Sequence, residues 1–350
     1  MLGVGALRGL KEAKLSKSSG SKVPDSLWED NLPVVRRYLD QRQSYERLAR
    51  EVAYILEKKL NSAQLEIAAI TNRPKELDSF LEKLSRKAYV DPFTEIEDFA
   101  GVRVVYLYAT DFPAICTCVE EEFDVVRTVD KLQEKGDDRF GYLAVHFIVK
   151  LGKRASGARY DDIKDLVCEV QLRTVLQDAW AIINHHLIYK RERDIPTVLK
   201  RKFNSIAGLF EMADEQFDTL RREREKYVAN VDESQKDEKV FLSQEVNADT
   251  IAAFLKWKYP DMEAFNRTEH RAAIMEDFPQ DQISTLADVN RLLTMNEAAI
   301  AAYCKEVGKP KWSGVLLAVA IALVDENYRS KGWEEDTRVV LDRLARKRGT

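Results

Sequence analysis

The segment LVCEVQLRT (166–174) sets Glu169, Gln171 and Arg173 on one side of a strand pattern whose other side, Leu166, Cys168, Val170 and Leu172, is apolar. Thr174 and Gln177 follow at the spacing of a capping box for the next helix. A carboxylate and a guanidinium at a strand's end, beside a helix N-terminus, suit a substrate that carries phosphate and a metal ion. Tyr142 and His146 share one face of a second strand pattern, and Gly141 precedes them. Glycine permits close backbone approach there, and the tyrosine ring can stack on a planar base. Asp98, in IEDFAGVRV, stands just before a third strand pattern, where it could meet Glu169 across the sheet. Two carboxylates ~4 Å apart repel by roughly 4 kcal/mol at an effective dielectric of 20. A divalent cation relieves that repulsion, and hard oxygen donors favour Mg²⁺ bridging phosphates, so Asp98 and Glu169 are the candidate metal ligands. The stretch TNRPKELDSFLEKLSRK gathers Arg73, Lys75, Lys83, Arg86 and Lys87, a candidate clamp for a triphosphate.

Each feature has a plainer explanation when read alone. The Glu169 face could be a solvated sheet surface with a structural ion pair, Tyr142 a half-buried ring, and the basic run a solvated helix face. Their meaning depends on the elements that bring them together. Strand patterns are expected at Leu65–Ile70, Gly101–Tyr108, Phe123–Val129, Tyr142–Lys150 and Leu166–Arg173. Helical patterns fall at Glu76–Lys87, Asp111–Glu121 and Val175–Tyr189. Strands mixed with helices in this way indicate an α/β (α+β) domain with a mixed sheet flanked by helices.

Upstream, Pro24–Leu65 has helical periodicity, with a break expected at Asn31-Leu32-Pro33. Residues 1–24, rich in Lys, Ser and Gly, are expected to be a disordered tail. Residues 25–230 hold the α/β domain, and 229–245 is a polar stretch expected to act as a hinge. Residues 235–350 then read as an all-helical extension, with helices over Asp249–Tyr259, Leu286–Val307, Ser313–Tyr328 and Glu334–Arg348.

Composition narrows the function classes. The 350 residues carry 55 Lys+Arg against 59 Asp+Glu, a formal net charge of −4, which argues against a generically basic nucleic-acid coat. With 45% hydrophobic and 33% charged residues, a sizeable core is expected and wholesale disorder is not. Four cysteines without a CxxC pair argue against a disulfide scaffold or a cysteine-rich zinc module, and four histidines leave little for a multi-histidine site. The longest apolar run, Val315–Val324, is well short of the about 20 residues a membrane helix needs. A soluble, cytoplasmic protein with no membrane contact is expected.

The segments NRPK (72–75), IEDFAGVRV (96–104), FGYLAVH (140–146) and CEVQLRT…DAWAIINHHLIYK (168–190) resemble, in order and spacing, the synthetase domain of RelA/SpoT-type alarmone synthetases. The resemblance covers about residues 30–225. It implies a nucleotidyltransferase-like mixed sheet flanked by helices. It also implies transfer of the pyrophosphate of ATP to the 3′-hydroxyl of GDP or GTP, with Mg²⁺ as cofactor. On this resemblance Arg73 and Lys75 would hold ATP phosphates, with Lys83 beside them in the basic clamp. Asp98 would bind Mg²⁺, and Glu169 would share the metal or help deprotonate the 3′-hydroxyl. Tyr142 would stack on the acceptor guanine with His146 in the same pocket. Gln171 and Arg173 would position acceptor and phosphates, and Lys190 would add a phosphate contact. No His-Asp dyad is present in the sequence, so a single-activity synthetase, acting as a homo-oligomer, is expected.

Two other functions stay open at the level of sequence. One keeps the chemistry and changes the acceptor to the 3′-end of tRNA or to an adenosine nucleotide; the basic C-terminus RLARKR (343–348) would then touch RNA. The other is a nucleotide-binding regulatory module without catalysis, against which the retained Arg73, Lys75, Asp98 and Glu169 weigh.

Overall fold

A computed structural model of the chain describes residues 30–130, 145–187, 197–263, 275, 278–279 and 283–348. The expected tail, Gly141, Tyr142 and Lys190 lie outside the described residues. Helix α1 (Leu32–Ser62) begins after Asn31 with Pro33 in its first turn. Proline is tolerated there because that N–H has no intrahelical partner. The break expected at Asn31-Leu32-Pro33 is therefore this helix's start. Tyr38, Tyr45, Leu48, Val52, Leu56 and Leu60 form its buried stripe.

Strand β1 (Ile67–Pro74) leads into helix α2 (Leu77–Arg86). Strand β2 (Ala100–Tyr106) follows, then helix α3 (Phe112–Glu122) and strand β3 (Phe123–Asp130). Strands β4 (Val145–Leu151) and β5 (Cys168–Thr174) complete one five-stranded sheet in the order β1-β2-β5-β4-β3. Only β2 and β5 run parallel; the other neighbours are antiparallel. The mixed α/β class expected from the sequence is what the chain adopts. The strand expected at Leu65–Ile70 instead runs to Pro74, because Arg73 and Pro74 stay in register with Gly101 and Ala100. Arg73 is thus a strand residue.

One face of the sheet is the core. Val102, Val104 and Tyr106 of β2, Phe147 and Val149 of β4, and Cys168, Val170 and Leu172 of β5 are buried against α1 and α3. Alternation along each strand then sends the intervening residues to the opposite face.

Helix α4 (Val175–Leu187) starts directly from β5, and helix α5 (Thr197–Ser234) packs on it. Trp180 of α4 lies 3.9 Å, ring centre to ring centre, from Phe203 and 6.0 Å from Phe210 of α5. Two buried carboxylates of α5 reach the ends of the sheet and of its loops. The Thr174 hydroxyl donates to Asp214 at 2.7 Å, and the Thr110 hydroxyl donates to Asp218 at 2.9 Å. Burial, and then the charge of Asp218, push the Asp214 carboxyl up to about 7. Tyr106, Cys116 and Asp111 lie in the same electrostatic neighbourhood.

A pH dependence follows from that shift. An unfolded Asp releases its proton near pH 4, whereas folded Asp214 keeps it until about pH 7. The associated stability is therefore present below about pH 4, falls between the two values and is lost above about pH 7, a ceiling of about 4 kcal/mol. Asp214→Asn cannot titrate. Its melting temperature should match the wild type near pH 4, exceed it increasingly up to about pH 7 and keep a constant lead above that. A difference that stays flat from about pH 4 to about pH 7 in thermal unfolding would contradict the assignment.

The chain divides into two compact units, Met1–Thr219 and Leu220–Thr350. The expected hinge at 229–245 is largely helical. Helix α5 continues to Ser234, and a short helix α6 occupies Glu238–Leu242, so the polar residues are mostly exposed helix surface. The second unit is otherwise built from helices α7 (Ala248–Lys258), α8 (Leu286–Met295), α9 (Glu297–Val307), α10 (Ser313–Val324), α11 (Glu326–Ser330) and α12 (Glu335–Arg348). Helix α10 is apolar all round and sits in the middle of this unit's core. Two helices expected to be continuous are broken. Asn296 separates α8 from α9, its amide donating to the Leu292 carbonyl at 2.7 Å. Asp325 ends α10 and caps α11 by accepting from the Tyr328 N–H at 3.0 Å. Such polar side chains compete for backbone groups and interrupt helices where apolar periodicity runs on. Among the described residues no helix is long and apolar enough to cross a membrane.

Candidate active site

The face of the sheet opposite the core is polar because cross-strand neighbours share a face. Pairing of β5 with β2 sets Glu169 opposite Gly101, Gln171 opposite Arg103, and Arg173 opposite Val105. Pairing with β4 sets His146 opposite Gln171 and Ile148 opposite Glu169. Pairing of β1 with β2 brings Arg73 opposite Gly101. Glu169, Gln171, Arg173, His146, Arg103 and Arg73 therefore share one surface, although they come from four strands.

Glu169 is held on both oxygens. One meets His146 Nδ1 at 2.8 Å, and the other accepts from the Gln171 amide at 2.7 Å. Because a carboxylate accepts, the proton of that first contact sits on Nδ1. His146 is buried, so the carboxylate is fixed from beneath while its side chain keeps 17% exposure. This contact joins two residues that the sequence assigned to different jobs, Glu169 to the metal or the 3′-hydroxyl and His146 to the base pocket.

Asp98 follows a single helical turn, Pro92–Glu95, and precedes β2. The Lys75 ammonium lies 2.6 Å from one of its oxygens and the Lys83 ammonium 3.0 Å from the other. Burial acts to raise the Asp98 pKa, but the two ammoniums outweigh it and hold the carboxyl below the usual aspartate value. The position of Lys75 is set through its backbone. Its N–H donates to the Phe99 carbonyl at 2.8 Å, and its own carbonyl accepts from the Tyr38 hydroxyl. Lys83 projects from α2. Of the wider basic run, Arg86 pairs with Glu82 on the exposed helix surface and Lys87 lies over the Tyr89 ring. Arg73 is exposed at the end of β1 and has no ion-pair partner among the described residues.

Toward the other end of β5, two arginines share one carboxylate. Arg103 lies 3.0 Å and Arg173 3.4 Å from the same oxygen of Asp178, in the first turn of α4. Burial first, then the charge of Arg103, lower the Arg173 pKa from its ordinary value. Among the described residues, the buried Nε of each guanidinium has no hydrogen-bond partner. Two guanidiniums offer more donors than one carboxylate can accept, so this corner has capacity for a further anion. Sequence reading missed Arg103 and Asp178. The available signal was alternation, since Arg103 stands two residues after Gly101 and shares its face.

The two carboxylates expected to meet across the sheet each have partners of their own, Lys75 and Lys83 for Asp98 and His146 and Gln171 for Glu169. Among the described residues no group of three or more His, Cys, Asp or Glu is gathered to hold a metal. Two carboxylates without further protein donors still fit Mg²⁺, which keeps several waters and takes its remaining ligands from substrate phosphates.

The chain is 27% identical over 158 residues to GTP pyrophosphokinase YwaC of Bacillus subtilis strain 168, covering 43% of this chain and 72% of that protein. It is 29% identical over 162 residues to GTP pyrophosphokinase YjbM of the same organism, covering 45% and 73%. Among solved structures, small alarmone synthetase 1 from Bacillus subtilis bound to its product pppGpp matches with a TM-score of 0.44 and 26% identity, covering 54% of this chain and 98% of that one. Residues 72–194, the stretch that holds both carboxylates, the two lysines and the arginine pair, match the family model of the region found in RelA / SpoT proteins.

Proposed function

We propose that the protein transfers the β,γ-pyrophosphate of ATP to the 3′-hydroxyl of GDP or GTP, giving (p)ppGpp, in the cytoplasm. The observation that carries this reading is the polar sheet face itself. A buttressed Glu169, a lysine-held Asp98 and the Arg103/Arg173 pair all fall inside the stretch that matches the RelA / SpoT region. The relatives named GTP pyrophosphokinase support the same reaction.

The residues divide the work. Lys75 and Lys83 exchange Asp98 for the phosphates of ATP, joined by Arg73 from the end of β1. Asp98 and Glu169 would hold Mg²⁺, which when bound neutralises phosphate charge. Glu169, aligned by His146 and Gln171, accepts the proton of the acceptor's 3′-hydroxyl. The hydroxyl oxygen then bonds to the β-phosphorus, the bond from that phosphorus to the α,β-bridging oxygen breaks, and AMP leaves. Arg103 and Arg173 bind phosphate oxygens. Tyr142 would stack on the guanine, and Lys190 would add a phosphate contact.

The test is incubation with γ-labelled ATP and GDP, GTP, ATP or deacylated tRNA as separate acceptors. Label in GDP or GTP is expected. Label in tRNA or in an adenosine nucleotide instead would change the acceptor. Label in none of them would favour a nucleotide-binding module without catalysis.

A further inference from the structure

We propose that Asp214 is a positioning residue, which acts through Thr174 to hold the first turn of α4 so that Asp178 keeps Arg103 and Arg173 aimed at the anion. The proposal rests on the reading of this sheet face as a phosphate site. Thr174 is both the last residue of β5 and the N-cap of α4. Its N–H donates to the Gln177 side chain at 2.9 Å, and its hydroxyl oxygen accepts from the Gln177 N–H at 3.1 Å. The single hydroxyl proton goes to Asp214 at 2.7 Å, which leaves a lone pair directed at Gln177. Asp214 therefore fixes the orientation of the cap. One residue beyond Gln177 stands Asp178, the carboxylate shared by the two arginines.

The rest of α5 is built for the same task. Phe203, Ala207, Phe210, Asp214 and Asp218 recur at helical spacing and so share one stripe. Phe203 and Phe210 grip Trp180 further along α4, while Asp214 grips its start. A leucine would fill the Asp214 position without placing a second carboxylate beside Asp218. The buried carboxylate is explained by the hydrogen bond it accepts from the cap.

Full-length Asp214→Ala, Asp214→Asn, Thr174→Val and Thr174→Ser test this, with Arg173→Ala as a reference. Two readouts are needed: hydrogen exchange of the amides of residues 175–179, and binding of inorganic pyrophosphate by calorimetry. Asp214→Ala and Thr174→Val should speed exchange in that turn and weaken pyrophosphate by at least about tenfold, the scale of one lost charge-assisted contact. Asp214→Asn keeps an acceptor and Thr174→Ser keeps the hydroxyl, so both should recover most of the loss. Should Asp214→Ala fail to fold, Thr174→Val against Thr174→Ser carries the same comparison. Unchanged exchange at 175–179 in Asp214→Ala or Thr174→Val would overturn the positioning role whatever the site binds. Faster exchange with no pyrophosphate binding by the wild type would instead overturn the phosphate reading on which the proposal stands.

Discussion

Glu169→Gln should lower turnover by at least about 100-fold at saturating Mg²⁺, the scale for a lost base or metal contact. The substitution preserves size, its oxygen can accept from His146 and its NH₂ can donate to the Gln171 side-chain oxygen once that amide turns over, so the sheet should fold as before. What it removes is the negative charge needed to accept a proton and to share a cation. Asp98→Asn should act on the same scale, and for a related reason. It frees Lys75 and Lys83 from their carboxylate, which leaves phosphate binding intact while removing a metal ligand. The loss should therefore fall on kcat more than on the ATP KM. Steady-state kinetics of both variants would check this. Turnover within a few-fold of wild type in either one would remove that carboxylate from the chemistry.

Arg173→Ala should reduce kcat/KM by about 10- to 150-fold, because a charge-assisted contact to phosphate is worth roughly 1.5–3 kcal/mol. The guanidinium is partly buried, shares Asp178 with Arg103 and has a buried Nε with no partner among the described residues. Removing it also leaves Asp178 facing a single arginine, so the remaining site is less positive. Arg173→Lys should recover little, since an ammonium cannot reproduce the planar fork that two phosphate oxygens accept. Full recovery by lysine would reduce the role of Arg173 to charge alone. Unaltered kinetics in Arg173→Ala would make the pair a structural tie between β2, β5 and α4.

Local alternation made most of the site legible. The pattern CEVQLRT predicts one polar face and one apolar face, and the strand has both. The capping box at Thr174 and Gln177 forms as its spacing predicts. Register between strands was not legible, because it depends on residues far apart in sequence. The His146–Glu169 contact follows from β4 pairing with β5, and the Arg103–Asp178–Arg173 group from β2 pairing with β5. Neither partner choice is written in any local window. The ion pairs of Asp98 were hidden for another reason. Sequence position makes Lys75 and Lys83 candidate phosphate ligands and Asp98 a candidate metal ligand, whereas their pairing with each other depends on how α2 and the β1 end fold over the start of β2. In the second unit, periodicity alone could not reveal the breaks at Asn296 and Asp325, which are made by single side chains bonding to backbone.

The reaction proposed here differs from an ordinary kinase in one bond, so following the β-phosphorus of ATP tests it most directly. With ATP labelled at that position and GDP or GTP as acceptor, label should appear in the guanosine product while AMP accumulates in equal amount. Label that stays behind in ADP, with only the γ-phosphoryl group transferred, would contradict pyrophosphate transfer.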